Sequence, residues 1–146
     1  MTTNSQFTVG THILTLLALH DGPISSRTLS RSINTNPVVV RRIVGALHDA
    51  ELVATQMGVG GGTTLARPAD EITLRDVFIA TQPAHVIPLH ASEPNAACNI
   101  GRHIQPVLTP VFERAQAAME AELDATTIAE VAAGIQQRAE AIAEPS

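Results

Sequence analysis

Apolar residues recur at helical spacing through the first fifty positions and again through the last fifty, with a short glycine-rich stretch between. From Phe7 to Leu19, the residues Phe7, Ile13, Leu14, Leu16, Leu17 and Leu19 crowd one broad face, and Asp21-Gly22-Pro23 stops the helix they predict. A second, shorter helix begins at Ser25 or Ser26, with Ile24 before it as a hydrophobic staple and Leu29 and Ile33 facing inward. Asn34-Thr35-Asn36-Pro37 is a turn, then an N-cap, then a proline in the first helical turn. The third helix runs to about Ala50 and buries Val40, Ile43, Val44 and Leu47. Leu52-Val53-Ala54-Thr55 and Thr63-Thr64-Leu65-Ala66 have β character on either side of Met57-Gly58-Val59-Gly60-Gly61-Gly62, so a hairpin follows the third helix directly. Ile72-Thr73-Leu74-Arg75-Asp76-Val77 opens another helix, capped at Thr73.

Residues 81–97 contain Pro83, Pro88 and Pro94 and read as an irregular loop. From Cys98 onward Ile100, Ile104, Leu108, Val111, Ala115, Met119 and Leu123 form an apolar seam at three- and four-residue steps. Pro106 and Pro110 interrupt it, which predicts a short helix, a kink, and a longer helix from about Thr109. Thr127 and Glu130 have the spacing of a capping box for a last helix reaching about Ala143. The predicted fold is mostly α with a small β-hairpin: a winged helix-turn-helix over residues 1–80, a linker or sensor loop over 81–97, and a helical dimerisation arm over 98–146.

Composition narrows the function. The chain has 146 residues, is 45% hydrophobic, and has no apolar run long enough to span a bilayer. Its N-terminus lacks the pattern of a secretory signal, so a cytoplasmic protein without membrane contact is expected. Aromatic content is 2%, which disfavours single-stranded nucleic-acid binding through stacked rings. The net charge of −5 is unevenly spread. Residues 1–67 carry five arginines against Asp21, Asp49 and Glu51, whereas residues 68–146 carry four arginines against eleven acidic residues. A mildly basic front and an acidic rear suit a molecule that turns only its front toward phosphates.

Two segments have the chemistry for such a partner, double-stranded DNA. With Val40, Ile43 and Leu47 inward, the third helix presents Asn36, Val38, Arg41 and Arg42, and residues at a helix N-terminus are those that reach base edges in the major groove. A solvated helix surface would explain the arginines alone; the preceding turn and the following hairpin favour DNA. Gly60, Gly61, Gly62 and Thr63 provide a tip whose backbone can approach phosphate, and the absence of lysine excludes a phosphate loop of the nucleotide-binding kind. Ser26 and Arg27, opening the second helix, complete the expected contact set. No nucleophile–base pair or metal-ligand spacing stands out, so neither an enzyme nor a resident cofactor or metal is expected.

The strings Phe7-Thr8-Val9-Gly10-Thr11-His12-Ile13-Leu14, Asn36 to Ile43, Gly58 to Gly62, Ile72 to Val77 and Asn95-Ala96-Ala97-Cys98-Asn99-Ile100-Gly101 resemble the IscR/NsrR/CymR family of bacterial winged-helix regulators, in its YwnA-like branch without an iron-sulfur cluster. The resemblance covers residues 7 to about 131. It implies a homodimer whose long C-terminal helix packs against its partner, a repressor on a pseudo-palindromic operator, and DNA contacts at Asn36, Val38, Arg41, Arg42 and the segment from Gly58 to Thr63. It also marks departures. Met57 stands where many members have a wing arginine, and Glu51 stands where many have glycine, which implies a somewhat different turn into the wing. Cys98 matches the last of three cluster cysteines, but Ser92 and Gly101 occupy other ligand positions and no second cysteine exists. Cys98 with Arg102 therefore reads either as an oxidant sensor, its thiol acidified by a helix start and the arginine, or as a small packed residue. The effector remains unassigned. The alternative to a DNA reader is a dimeric regulator acting through protein or small-molecule binding without reading DNA sequence.

Overall fold

The computed structural model describes residues 3–143; the outermost ends of the expected segments, residues 1–2 and 144–146, lie outside them. Six helices and one hairpin follow in the order α1 (Thr3–Leu19), α2 (Ser26–Ile33), α3 (Pro37–Asp49), β1 (Val53–Gln56), β2 (Gly62–Leu65), α4 (Leu74–Thr81), α5 (Asn99–Asp124) and α6 (Ile128–Ala143). Most of the head core predicted by periodicity is buried: Ile13, Leu14, Leu29, Val40 and Leu47 are fully buried, joined by Leu52, Ile72, Val77 and Ile128, whereas Leu19 at the end of the first apolar face is exposed. A T-shaped contact between Phe7 and Phe78, centroids 5.5 Å apart, ties α1 to α4.

Local chemistry sets the element ends. Ser25 is the cap of α2, its Oγ accepting from Thr28 N at 3.2 Å. Asn36 caps α3, its Oδ1 accepting from Val38 N at 2.8 Å with Pro37 in the first turn. Thr73 and Asp76 make the full capping box at α4, whereas at α6 only the Glu130 N to Thr127 Oγ1 half is present, at 3.1 Å. The hairpin is antiparallel with Val53 opposite Leu65 and Gln56 opposite Gly62, offset by one residue from the expected strands. An additional 3₁₀ turn, Ala69–Glu71, leads into α4.

Two expectations change. The predicted kink gives way to a single 26-residue helix, α5, running through Pro106 and Pro110. Both prolines are exposed and four residues apart, so they share a solvent-facing side where water can reach the carbonyls they leave unbonded. The left-handed turn out of α3 is also a standard one. Glu51 N bonds His48 O at 2.9 Å and Leu52 N bonds Leu47 O at 3.0 Å, the pairing of a Schellman motif, and Glu51 takes φ 61° where glycine would be unstrained. The departure at Glu51 thus shows up as backbone strain within an ordinary turn.

The last helix packs back on the head. Leu74 N bonds Thr126 O at 2.9 Å, Ile128 N bonds Ile72 O at 2.8 Å, and Ile128 joins the same buried cluster as Ile13 and Leu47. One core therefore spans residues from both the front segment and the rear segment.

Candidate nucleic-acid interface

The turn between α2 and α3 fixes how α3 is presented. Asn34 ends α2 in the left-handed conformation, φ 60°. Buried Ser30 then locks the turn, its Oγ donating to Thr35 O at 2.5 Å while Thr35 N donates to Ser30 O at 3.1 Å. Packing of Val40, Ile43, Val44 and Leu47 into the core leaves Asn36, Val38, Arg41 and Arg42 exposed, as the periodicity predicts. Among the described residues the ion pairs are His48–Asp49 and Arg67–Asp76, so both guanidiniums of α3 face solvent without a carboxylate partner. Asn36 uses its carbonyl oxygen on the cap, which leaves its amide hydrogens as the donors it can offer to another molecule.

The wing is anchored beside the start of α2. Ile24 and Thr63 exchange two backbone bonds, Ile24 N to Thr63 O at 3.0 Å and Thr63 N to Ile24 O at 2.9 Å, adding a short third rung to the hairpin. Any Cβ at Gly62 would sit 2.5 Å from Ile24 O, so this close approach requires glycine. Ser26 and Arg27 follow Ile24 and its neighbour Ser25; Ser26 is half-buried and Arg27 exposed. The tip closes through Gly61 N to Gly58 O at 3.0 Å, with Gly60 inside the turn at φ 78°. Thr63 itself is buried, so its side chain supports the stalk and is not offered to solvent. Met57 and Val59 are fully exposed, an apolar pair at a tip with no cationic side chain. The stalk is braced from behind by Arg67 Nη2 and Asp76 Oδ2, 3.4 Å apart.

Cys98 lies at the N-cap of α5 and is exposed, so the chain alone does not pack it away. Its sulfur makes no full capping hydrogen bond, but the N–H groups of Gly101 and then Ile100 point toward it and hold the thiol below its ordinary range. Arg102 is not the cause: its Nε donates to Ala96 O at 2.9 Å, closing the loop onto the helix. Asn95 braces the same turn, its O accepting from Cys98 N at 3.1 Å and its Oδ1 from Ala97 N at 2.9 Å. The backbone of Asn95 packs directly on Gly101, where an added Cβ would lie 2.5 Å from Asn95 O.

The seam residues differ in exposure along a face that drifts around α5. Ile100 and Val111 are exposed, as is Ala115, whereas Ile104, Leu108, Met119 and Leu123 are half-buried within the chain. Val107, 65% exposed beside Val111, belongs with the exposed group although it lies outside the predicted seam. Strict 3.6-residue turns counted from Ile100 include it.

The profile of the Rrf2 family, described as iron-dependent transcriptional regulator, matches residues 3–134. The chain belongs to that family, and its hairpin-bearing helical fold is the family's winged helix. It is 38% identical over 128 residues to YwnA of Bacillus subtilis, named as an HTH-type transcriptional regulator, covering 88% of this chain and 95% of that one. A solved structure described as a DNA-binding protein superposes with a TM-score of 0.70 at 33% identity, over 86% of this chain and 97% of the other. Staphylococcus aureus CymR superposes at 0.65 with 25% identity, over 88% and 95%. The protein is a DNA-binding transcriptional regulator, and its family is one of regulators and not enzymes.

The iron named for the family does not fit the donors here. Cys98 is the sole cysteine, and among the described residues no three His, Cys, Asp or Glu side chains converge as a metal site. Among the same residues, no helix is long and apolar enough to cross a membrane.

Proposed function

We propose that this regulator acts as a homodimeric repressor on a pseudo-palindromic operator, with α3 of each protomer in a major-groove half-site and each wing along the flanking backbone. The observation that carries the reading is the pair of unneutralised guanidiniums, Arg41 and Arg42, exposed on a helix whose opposite face is locked in the core. Val38 and Asn36 supply an apolar and a hydrogen-bonding contact for base edges, and Ser26, Arg27, Gly60, Gly61 and Gly62 supply backbone contacts. Because the tip at Met57 and Val59 carries no cationic side chain, the wing contributes phosphate contacts more than base reading.

The dimer rests on α5: a helix of 26 residues with no buried side chain and with Ile100 72%, Val107 65% and Val111 45% exposed demands a covering surface. A gel-shift titration tests the whole reading. Arg41→Ala with Arg42→Ala is expected to weaken operator binding by at least tenfold and to lower the salt slope by roughly 0.9 for each phosphate that is no longer neutralised. Unchanged affinity and slope would remove α3 from the interface. Val107→Glu with Val111→Glu is expected to yield monomers by sedimentation, and persistence of the dimer would move the interface elsewhere.

The exposure of Cys98 and its acidified thiol favour a second layer, oxidant sensing. The thiolate would attack peroxide, forming an S–O bond as the O–O bond breaks, to give a sulfenic acid and hydroxide. Peroxide is then expected to add one oxygen by mass spectrometry and to change operator affinity in the wild type but not in Cys98→Ser.

A further inference from the structure

A cavity of about 610 Å³ lies between the 82–98 loop and α5, and nothing in DNA reading or dimerisation uses it. Its apolar walls are Ile87, Pro88 and Leu89 from the loop and Phe112 from the helix, and Glu113 and Glu120 supply carboxylates. Gln116 staples the loop over it: its Nε2 donates to Ala84 O at 2.8 Å and its Oε1 accepts from Val86 N at 3.2 Å. The loop is therefore held at a fixed distance from α5 by a side chain that satisfies two backbone groups at once. The size is within the range of small-molecule pockets.

Helical geometry separates this cavity from the proposed dimer face. At about 100° per residue, Ile100, Val107, Val111 and Ala118 share one side of α5, whereas Thr109, Glu113, Gln116 and Glu120 lie roughly half a turn around the axis. Pairing of two α5 helices through the exposed stripe leaves the cavity open. No arginine lines it, His85 is the one basic side chain on the lining, and among the described residues neither Glu113 nor Glu120 takes part in an ion pair, with His85 or any other residue. Two uncompensated carboxylates beside an apolar, partly aromatic wall select against anions and for a cation whose charge is spread on an apolar body.

We infer that this cavity is a binding site for a small amphipathic cation, such as a quaternary ammonium or phosphonium carrying apolar groups. Phe112 and the loop's Ile87 and Leu89 cover the apolar body, while Glu113 and Glu120 face the charge. The site links two working parts of the regulator, because the loop begins at the end of α4, which packs on α3, and ends at the N-cap of α5.

The test uses two ions of the same shape and opposite charge, tetraphenylphosphonium and tetraphenylborate, titrated calorimetrically into the DNA-free protein. Because no operator is present, the result is independent of whether the DNA reading holds. The phosphonium is expected to bind at least tenfold more tightly than the borate, with the preference shrinking as salt is added. Glu113→Gln with Glu120→Gln is expected to remove most of that preference while keeping the helical circular dichroism. Ala117→Phe, which fills the cavity from α5, is expected to abolish binding. Equal affinity for the two ions, a preference indifferent to the glutamine pair, or phosphonium binding that survives Ala117→Phe would each overturn the site. So would failure of both ions to bind, the result if a second copy of the chain covers the cavity.

Discussion

Helix α3 has thirteen residues and buries four of them; α5 is twice as long and buries none. Both carry apolar residues at helical spacing, so the difference lies in what surrounds them. Around α3, helices α1, α2 and α4 close a core in which Val40 and Leu47 have no exposure at all. Around α5 the chain offers α4 on one side and a proline-rich loop on another, leaving the stripe from Ile100 to Val111 exposed, the surface proposed above for a second copy. Stability of the head is thus an intrachain property, whereas the dimer proposed above would couple the order of α5 to assembly.

The largest effect that can break this contrast is a cavity in the head. Leu47→Ala removes a fully buried side chain and is expected to cost about 2–5 kcal/mol of unfolding free energy by urea titration. Val111→Ala removes an exposed one and is expected to fall within about 0.5 kcal/mol when measured dilute enough for monomers. At high concentration the Val111 variant should lose more, because the proposed dimer would contribute there. Equal costs for the two substitutions under dilution would mean that α5 is part of the head's core after all.

How far the fold can be read from sequence follows the same division. Periodicity and caps place α2 to α4 within a residue or two because each inward face meets a partner in the same chain, as with Val40, Ile43 and Leu47. In α5 the same logic fails twice. Pro106 and Pro110 argue for a kink on backbone grounds, yet both are exposed, where unpaired carbonyls can bond water and the helix continues. The seam from Ile100 to Leu123 reads as one surface although it drifts around the helix, so Met119 and Leu123 turn toward their own chain and Val107 falls outside it. The exposed face of α3 is legible because a capped helix with its core face known leaves Arg41 and Arg42 only one direction to point. The loop cavity is not, since Ile87 and Leu89 sit among prolines with no period to reveal a common face.

A smaller effect sharpens the comparison inside the head. Glu51 is exposed and holds φ 61°, so its side chain adds nothing that a glycine would forfeit while its backbone carries strain. Glu51→Gly is expected to raise stability by about 1 kcal/mol, the relief of the left-handed conformation partly offset by the freer unfolded chain. Thermal melts at fixed concentration check it. A loss of stability would show that the Glu51 side chain supports the turn into the wing through an interaction that outweighs the strain.

The smallest effect lies at the junction between the two regions. With the N–H groups of Gly101 and Ile100 directed at its sulfur, Cys98 should ionise at lower pH in the folded chain than in urea. The sign is that of a depressed acid: the favourable interaction is present above the unfolded thiol's pKa and is lost as pH falls through the folded value. Alkylation by iodoacetamide is therefore expected to have a lower pH midpoint for folded protein than for unfolded. Gly101→Ala sharpens the point, because the added Cβ would be driven against Asn95 O and must displace the turn that holds Cys98 over the helix start. If the folded midpoint moves back toward the unfolded one in that variant, the loop's fit against Gly101 sets the thiol's acidity; if it stays put, the end of α5 does so alone.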